Sequence, residues 1–201
     1  MRTNDLAARA GRHDDQDGRR QLTFFPDSWW HLKMTEALTP LAARLGALLL
    51  AQGLHLTAAE SCTGGWIAKV VTDLAGSSAW FERGFVTYSN ESKTDLLGVR
   101  TETLARHGAV SEPVVLEMVV GALARSRAQV AVAVSGIAGP DGGSPDKPVG
   151  TVWLAWSVPG APPWARCLHF AGDRGEVRRQ AVQVALEGLL ERLTGPAPTH
   201  A

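Results

Sequence analysis

Apolar positions along the chain change their period several times, and each change marks an element. From Thr35 onward Leu38, Leu41, Leu45, Leu48 and Leu49 recur at helical spacing, and Gly53 follows as a C-terminal stop. "LHLTAA" then alternates as a short strand, "TGGWIAKVVTDLA" returns to helical spacing, and "GFVTYS" reads as a second strand. "SEPVVLEMVVGALARSR" predicts a helix with Ser111 as N-cap, Glu112 and Pro113 in its first turn and basic residues at its end. "QVAVAVSG" is almost continuously apolar and ends in glycine, as a strand covered on both faces does. "VGTVWLAWSV" and "ARCLHF" predict two more strands, close enough in sequence for an antiparallel pair, and "GEVRRQAVQVALEGLLERL" ends the pattern as a helix.

Helices that alternate with buried strands, followed by a strand pair, predict an α/β fold: a three-layer α/β/α domain with a mixed sheet. The domain is expected to span residues 34–195. Residues 1–33 mix charge and glycine without a sustained apolar period, interrupted by the aromatic "FFPDSWW", and read as a disordered or loosely docked extension. Residues 196–201 read as a tail.

Composition then removes several function classes. The chain has 201 residues, with 20 basic and 20 acidic side chains, so its bulk charge does not suggest a nucleic-acid or membrane-surface binder. Any bound anion has to be held locally. The two cysteines, Cys62 and Cys167, show no CxxC spacing and no nearby histidine-ligand pattern, which favours reduced thiols and argues against a zinc site. No apolar run approaches the length of about 18 residues that a membrane span needs, and the N-terminus has no signal-peptide apolar region. A soluble, cytoplasmic protein without a metal or cofactor is the expectation.

Ligands of α/β sheets bind beyond the C-terminal ends of strands, which directs attention to three loops: "AESCTGG", "TYSNESK" and "VSGIAGPDGGSPDK". In the first, Ser61 can present a hydroxyl to a cleft while helix N-terminal amides stabilise an anion; equally, Ser61 or Thr63 can simply cap the helix. Cys62 is an intrinsically better nucleophile beside it, but no imidazole neighbours it to form a thiolate pair. In the second loop Lys93 can serve as a general base if burial lowers its pKa, and Tyr88 can relay a proton. The plainer reading is a helix capped at Ser89 or Asn90 with an exposed lysine. "SPDK" formally matches SxxK, yet its proline and neighbouring glycines oppose the helix that pattern needs. Gly136, Gly139, Gly142 and Gly143 permit close backbone approach and can cradle phosphate or carbonyl oxygen, or can merely form a tight turn; their spacing is not a dinucleotide fingerprint. "GDRGEVRRQ" adds Arg174, Arg178 and Arg179 near a helix start, where Arg174 could grip a phosphate.

Taken in order, "AESCTGGWIAKVVTDLAGSSAWFERGFVTYSNESK", "GAVSEPVV", "SGIAGPDGGSPDKPVGTVW" and "GDRGEVRRQA" resemble the CinA C-terminal family, which includes nicotinamide mononucleotide deamidases and competence/damage-inducible proteins. The resemblance runs from about Met34 to about Leu193. It implies metal-free hydrolysis of the carboxamide of nicotinamide mononucleotide to nicotinate mononucleotide and ammonia, in pyridine-nucleotide salvage. Ser61 would be the nucleophile, with Lys93 and Tyr88 as proton-transfer partners. Arg174 and the glycine loop would hold the nucleotide, Thr63 the oxyanion or the substrate amide, and Gly64 and Gly65 would keep the helix entrance open. The family also implies homodimers. Longer members carry an N-terminal domain resembling molybdopterin-binding proteins, for which this chain has no room. A rival class is a non-catalytic pyridine-nucleotide sensor linked to competence or DNA damage, which would need the glycine loop and arginine but no nucleophile.

Overall fold

The computed structural model describes residues 38–195; the predicted extension 1–33 and tail 196–201 lie outside them. The first helix, α1 (Leu38–Gln52), buries Leu38, Ala42, Leu45 and Leu49, the stripe its leucine spacing predicts. Gly53, at φ 65°, takes the left-handed conformation that ends it. There follow β1 (Leu56–Glu60), α2 (Trp66–Thr72), a single 3₁₀ turn at Ser77–Ala79 and β2 (Phe81–Val86). Two short helices, α3 (Asn90–Leu97) and α4 (Thr101–His107), lead to α5 (Glu112–Ala124). The chain closes with β3 (Val130–Gly136), β4 (Thr151–Ser157), β5 (Trp164–His169) and α6 (Arg174–Thr194).

The sheet order is β2-β1-β3-β4-β5. Strands β2, β1 and β3 run parallel, while β4 pairs antiparallel with both β3 and β5, so the sheet is mixed as expected. Side-chain alternation on β3 divides the core in two. Val130, Val132 and Val134 face the layer of α1, α2 and α6, whereas Ala131 and Ala133 face α5, where small side chains let the helix approach closely. Trp156 fills the first layer, stacks on Trp164 with ring centroids 4.6 Å apart, and donates from Nε1 to Ala185 O at 2.9 Å.

Helix α2 leaves β1 on one face of the sheet, and α3 to α5 leave β2 on the other. The connections therefore diverge at the C-terminal ends of β1 and β2, and a crevice there is the expected ligand position in such a sheet. Ser111 occupies the N-cap position of α5 as predicted, yet its hydroxyl donates to Gly108 O at 2.8 Å and makes no cap bond to the helix. Helix α4 was not marked by the apolar pattern at all.

Candidate active site

Strand β1 delivers Ser61 to the centre of the parallel strands. Its amide continues the ladder by donating to Val134 O at 3.0 Å, and on the other side Thr87 N donates to Glu60 O at 2.8 Å. With the backbone held on both flanks, Ser61 lies just beyond the end of β1, 8% exposed. The second loop enters from β2. Ser89 caps α3 and forms a reciprocal capping box with Ser92, as the cap reading of "SNES" expects. The exposed-lysine half of that reading fails: Lys93, on the inner side of α3, is 1% exposed.

Lys93 Nζ lies 3.1 Å from Ser61 Oγ. Its remaining hydrogen-bond partners are carbonyl oxygens, Thr87 O at 2.8 Å, Ser89 O at 3.3 Å and Tyr88 O at 3.5 Å, and no carboxylate among the described residues bonds to it. Burial strips water from the ammonium and pulls its pKa below the ordinary lysine value. Cys62 moves the other way: burial pushes its thiol up to about 12, so the sulfur beside Ser61 is held as a neutral thiol. The rival nucleophile therefore lacks its reactive form.

Tyr88 does not join this pair. Its side chain is 61% exposed, and its hydroxyl accepts from Arg174 Nη2 at 3.0 Å. Arg174, the first residue of α6, also donates from Nη1 to Gly139 O at 2.9 Å, so one guanidinium ties the tyrosine loop to the glycine loop. Within that loop Gly139 and Gly142 have positive φ, while a Cβ on Gly136 would come within 2.6 Å of Val152 and one on Gly143 within 2.8 Å of Val149 N. Gly136 thus packs closely against β4, and Gly143 against the loop residue Val149. Lys147 of "SPDK" forms a turn with Ser144 and reaches His107 O, away from Ser61, so that pattern is structural.

Two side chains absent from the expected site organise it. Glu60, 1% exposed, accepts from Gly65 N and Ile67 N at 3.0 Å each and from Ala68 N at 2.9 Å. Neither Ser61 nor Thr63 caps α2, because this carboxylate does, and those amides are not free for a substrate anion. Arg178, half-buried on α6, donates to Cys62 O at 3.0 Å and Thr63 O at 2.7 Å and lies over the Trp66 ring. Arg179 pairs with Glu176 on its own helix. Thr63 and Gly64 lie in the turn these groups grip; the Thr63 hydroxyl is fully buried and has no hydrogen-bond partner among the described residues. A glutamate that ends a buried strand just before Gly-Gly and an uncapped helix was the available signal for the first. The sequence shows the second beside Arg174 near the start of its helix, but nothing local ties it to the carbonyls of Cys62 and Thr63.

The fold and site thus define an α/β domain with a buried serine–lysine pair at the C-terminal edge of its parallel strands. The CinA C-terminal domain family matches residues 38–193, and the chain belongs to that family. It is 60% identical over 160 residues, covering 79% of this chain and 97% of the relative, to the nicotinamide-nucleotide amidohydrolase PncC of Escherichia coli K12. It is 56% identical to the protein of the same name from Pseudomonas putida, covering 78% of this chain and 97% of that one. Among solved structures, the competence/damage inducible protein CihA from Agrobacterium tumefaciens superimposes with a TM-score of 0.76 at 48% identity, covering 79% of this chain and 96% of that one.

Proposed function

We propose that the protein is a nicotinamide-nucleotide amidohydrolase that converts nicotinamide mononucleotide and water to nicotinate mononucleotide and ammonia in pyridine-nucleotide salvage. The observation that carries the mechanism is the 3.1 Å contact between the buried Lys93 amine and Ser61 Oγ. A neutral amine has two N–H donors and one lone pair. Thr87 O and Ser89 O suit the donors, which leaves the lone pair for the Ser61 proton.

Ser61 Oγ attacks the carboxamide carbon as Lys93 takes its proton. The Ser61 amide is engaged with Val134 O, so the developing oxyanion falls to the amides of Cys62 and Thr63, which donate to no other described residue. Lys93 then gives its proton to the departing nitrogen, releasing ammonia and leaving an ester on Ser61. Water, deprotonated by Lys93, hydrolyses that ester and restores the serine. Thr63 offers its unpartnered hydroxyl to the substrate amide. Gly64, Arg174, Tyr88 and the loop of Gly136, Gly139, Gly142 and Gly143 hold the nucleotide; Tyr88 acts there through Arg174 and not as the base.

A nucleotide sensor has no use for a lysine buried against a serine. We carry over the family's homodimer as the assembly; exposed Val86, Tyr88 and Leu96 on β2, α3 and the loop between them supply an apolar surface for it, checked by light scattering. Both cysteines are free in the structure, which suits a cytoplasmic location. Incubating the purified protein with nicotinamide mononucleotide and measuring ammonia tests the activity. Release by the wild type and none by Ser61→Ala is expected, and an inert wild type refutes the reading.

A further inference from the structure

We propose that Glu60 is a positioning residue that, with Arg178 opposite it, sets the turn carrying Ser61 so that the serine hydroxyl meets the Lys93 amine. The proposal rests on the amidohydrolase reading for its kinetic consequence. Its geometry stands apart from that reading.

After Ser61 the backbone leaves the sheet and, with four residues between, starts α2 at Trp66. Residues Gly64 and Gly65 make that turn at φ 60° and 93°. Glycines at left-handed angles permit such a path and do little to hold it, because they have the widest choice of alternatives. The restraint comes from elsewhere. Both oxygens of Glu60 are used on the amides of Gly65, Ile67 and Ala68, so the carboxylate gathers the donors on the far side of the turn. Arg178 gathers the acceptors on the near side, Cys62 O and Thr63 O, with its guanidinium braced over Trp66 at 5.1 Å. In the chain Ser61 lies between Glu60, which supplies the first clamp, and Cys62, the first residue the second one holds.

Glu60 also acts through its main chain. Its carbonyl accepts from Thr87 N at 2.8 Å, and the Thr87 carbonyl accepts from Lys93 Nζ at 2.8 Å. One residue therefore orients the serine with its side chain and anchors the loop that holds the lysine with its backbone. The carboxylate bonds to neither Ser61 Oγ nor Lys93 Nζ, so it takes no part in proton transfer. Glutamine cannot replace it: the amide offers a single acceptor oxygen and turns an NH₂ group toward backbone donors.

The test compares wild type, Glu60→Gln and Arg178→Gln by steady-state kinetics on nicotinamide mononucleotide and by crystallography. A turn displaced by about 1 Å lowers kcat about 10- to 100-fold. The fall in kcat is expected to exceed any rise in KM that the displaced Thr63 and Gly64 cause, and the rise of kcat/KM with pH to remain, since the burial of Lys93 is untouched. In crystals of Glu60→Gln the Ser61 Oγ to Lys93 Nζ distance should exceed about 3.5 Å, beyond hydrogen-bond reach. A merely structural glutamate would lower the melting temperature while the folded protein kept wild-type kcat and the short Ser61–Lys93 contact, and that result overturns the proposal. If Glu60→Gln does not fold, Arg178→Gln, altered at a half-buried position, decides by the same two readings. A wild type that releases no ammonia refutes the amidohydrolase reading alone, because the crystallographic distance still decides the positioning claim.

Discussion

Arg174 Nη2 donates to the hydroxyl of Tyr88 at 3.0 Å, which joins two residues 86 positions apart in the sequence. The same guanidinium holds Gly139 O. One guanidinium thus links the tyrosine loop, the glycine loop and the start of α6.

Arg174→Ala is therefore expected to raise KM for nicotinamide mononucleotide far more than for the dephosphorylated riboside, since a charged contact to phosphate is worth about 1.5 to 3 kcal/mol, or roughly 10- to 150-fold. Tyr88→Phe removes only the hydroxyl contact to Arg174, and a rise of about 2- to 10-fold in KM is the corresponding expectation. The ratio between the two substrates is the measurement. Equal losses on both would assign Arg174 to loop geometry in place of phosphate binding.

Cys62→Ala should keep turnover within about threefold of wild type. The thiol, pushed up to about 12 by burial, is not a nucleophile at neutral pH, and its removal costs mainly packing, on the order of 1 kcal/mol. Steady-state kinetics with a melting curve checks both halves. Loss of turnover with an intact fold would transfer the attacking role from Ser61 to the sulfur.

Exhaustive chelation should leave ammonia release unchanged. The proposed proton carrier is an amine and the proposed electrophile stabilisers are amides, and no three His, Cys, Asp or Glu residues among those described are grouped to hold a metal ion. Activity that disappears with EDTA and returns with a divalent ion would refute this chemistry.

Legibility in the sequence followed the strength of the local period. The long stripe of α1, the doubly covered β3 and the β4–β5 pair could be read directly, because many apolar positions agree. Helix α4 could not: "TETLARH" is seven residues long and contributes only Leu104 to the apolar core. Ser61 and Lys93 were candidates because their loops follow predicted strands, and their roles came from the resemblance to the CinA C-terminal family; the burial of Lys93 depends on α3 folding back over the end of β1, which no local pattern encodes. Glu60 is the sharper case. A glutamate at a strand end suggests solvent, and only the turn through Gly64 and Gly65 brings the α2 amides back onto its oxygens. Arg178 lies more than a hundred residues from the carbonyls it holds.

Lys93 separates a proton acceptor from a fixed positive charge. As the base it must spend part of its time neutral, and loss of water on burial lowers its pKa below the ordinary 10.5. The sign follows: kcat/KM should rise with pH as the amine loses its proton, with its inflection below 10.5. Folding is linked in the same direction. Because the folded pKa is depressed, the unfolded chain binds the proton more tightly, and this group's contribution to stability is present above the unfolded pKa and lost as pH falls through the folded one. Arginine cannot deprotonate in this range, so Lys93→Arg should fall about 10²- to 10⁴-fold, nearly as far as Lys93→Ala, and the alkaline limb should vanish. A permanent charge that merely stabilised the oxyanion would be partly replaced by arginine and would favour acid over alkali. Substantial activity in Lys93→Arg with a normal melting curve would thus remove the lysine from the base role and leave a bound water to take the serine proton.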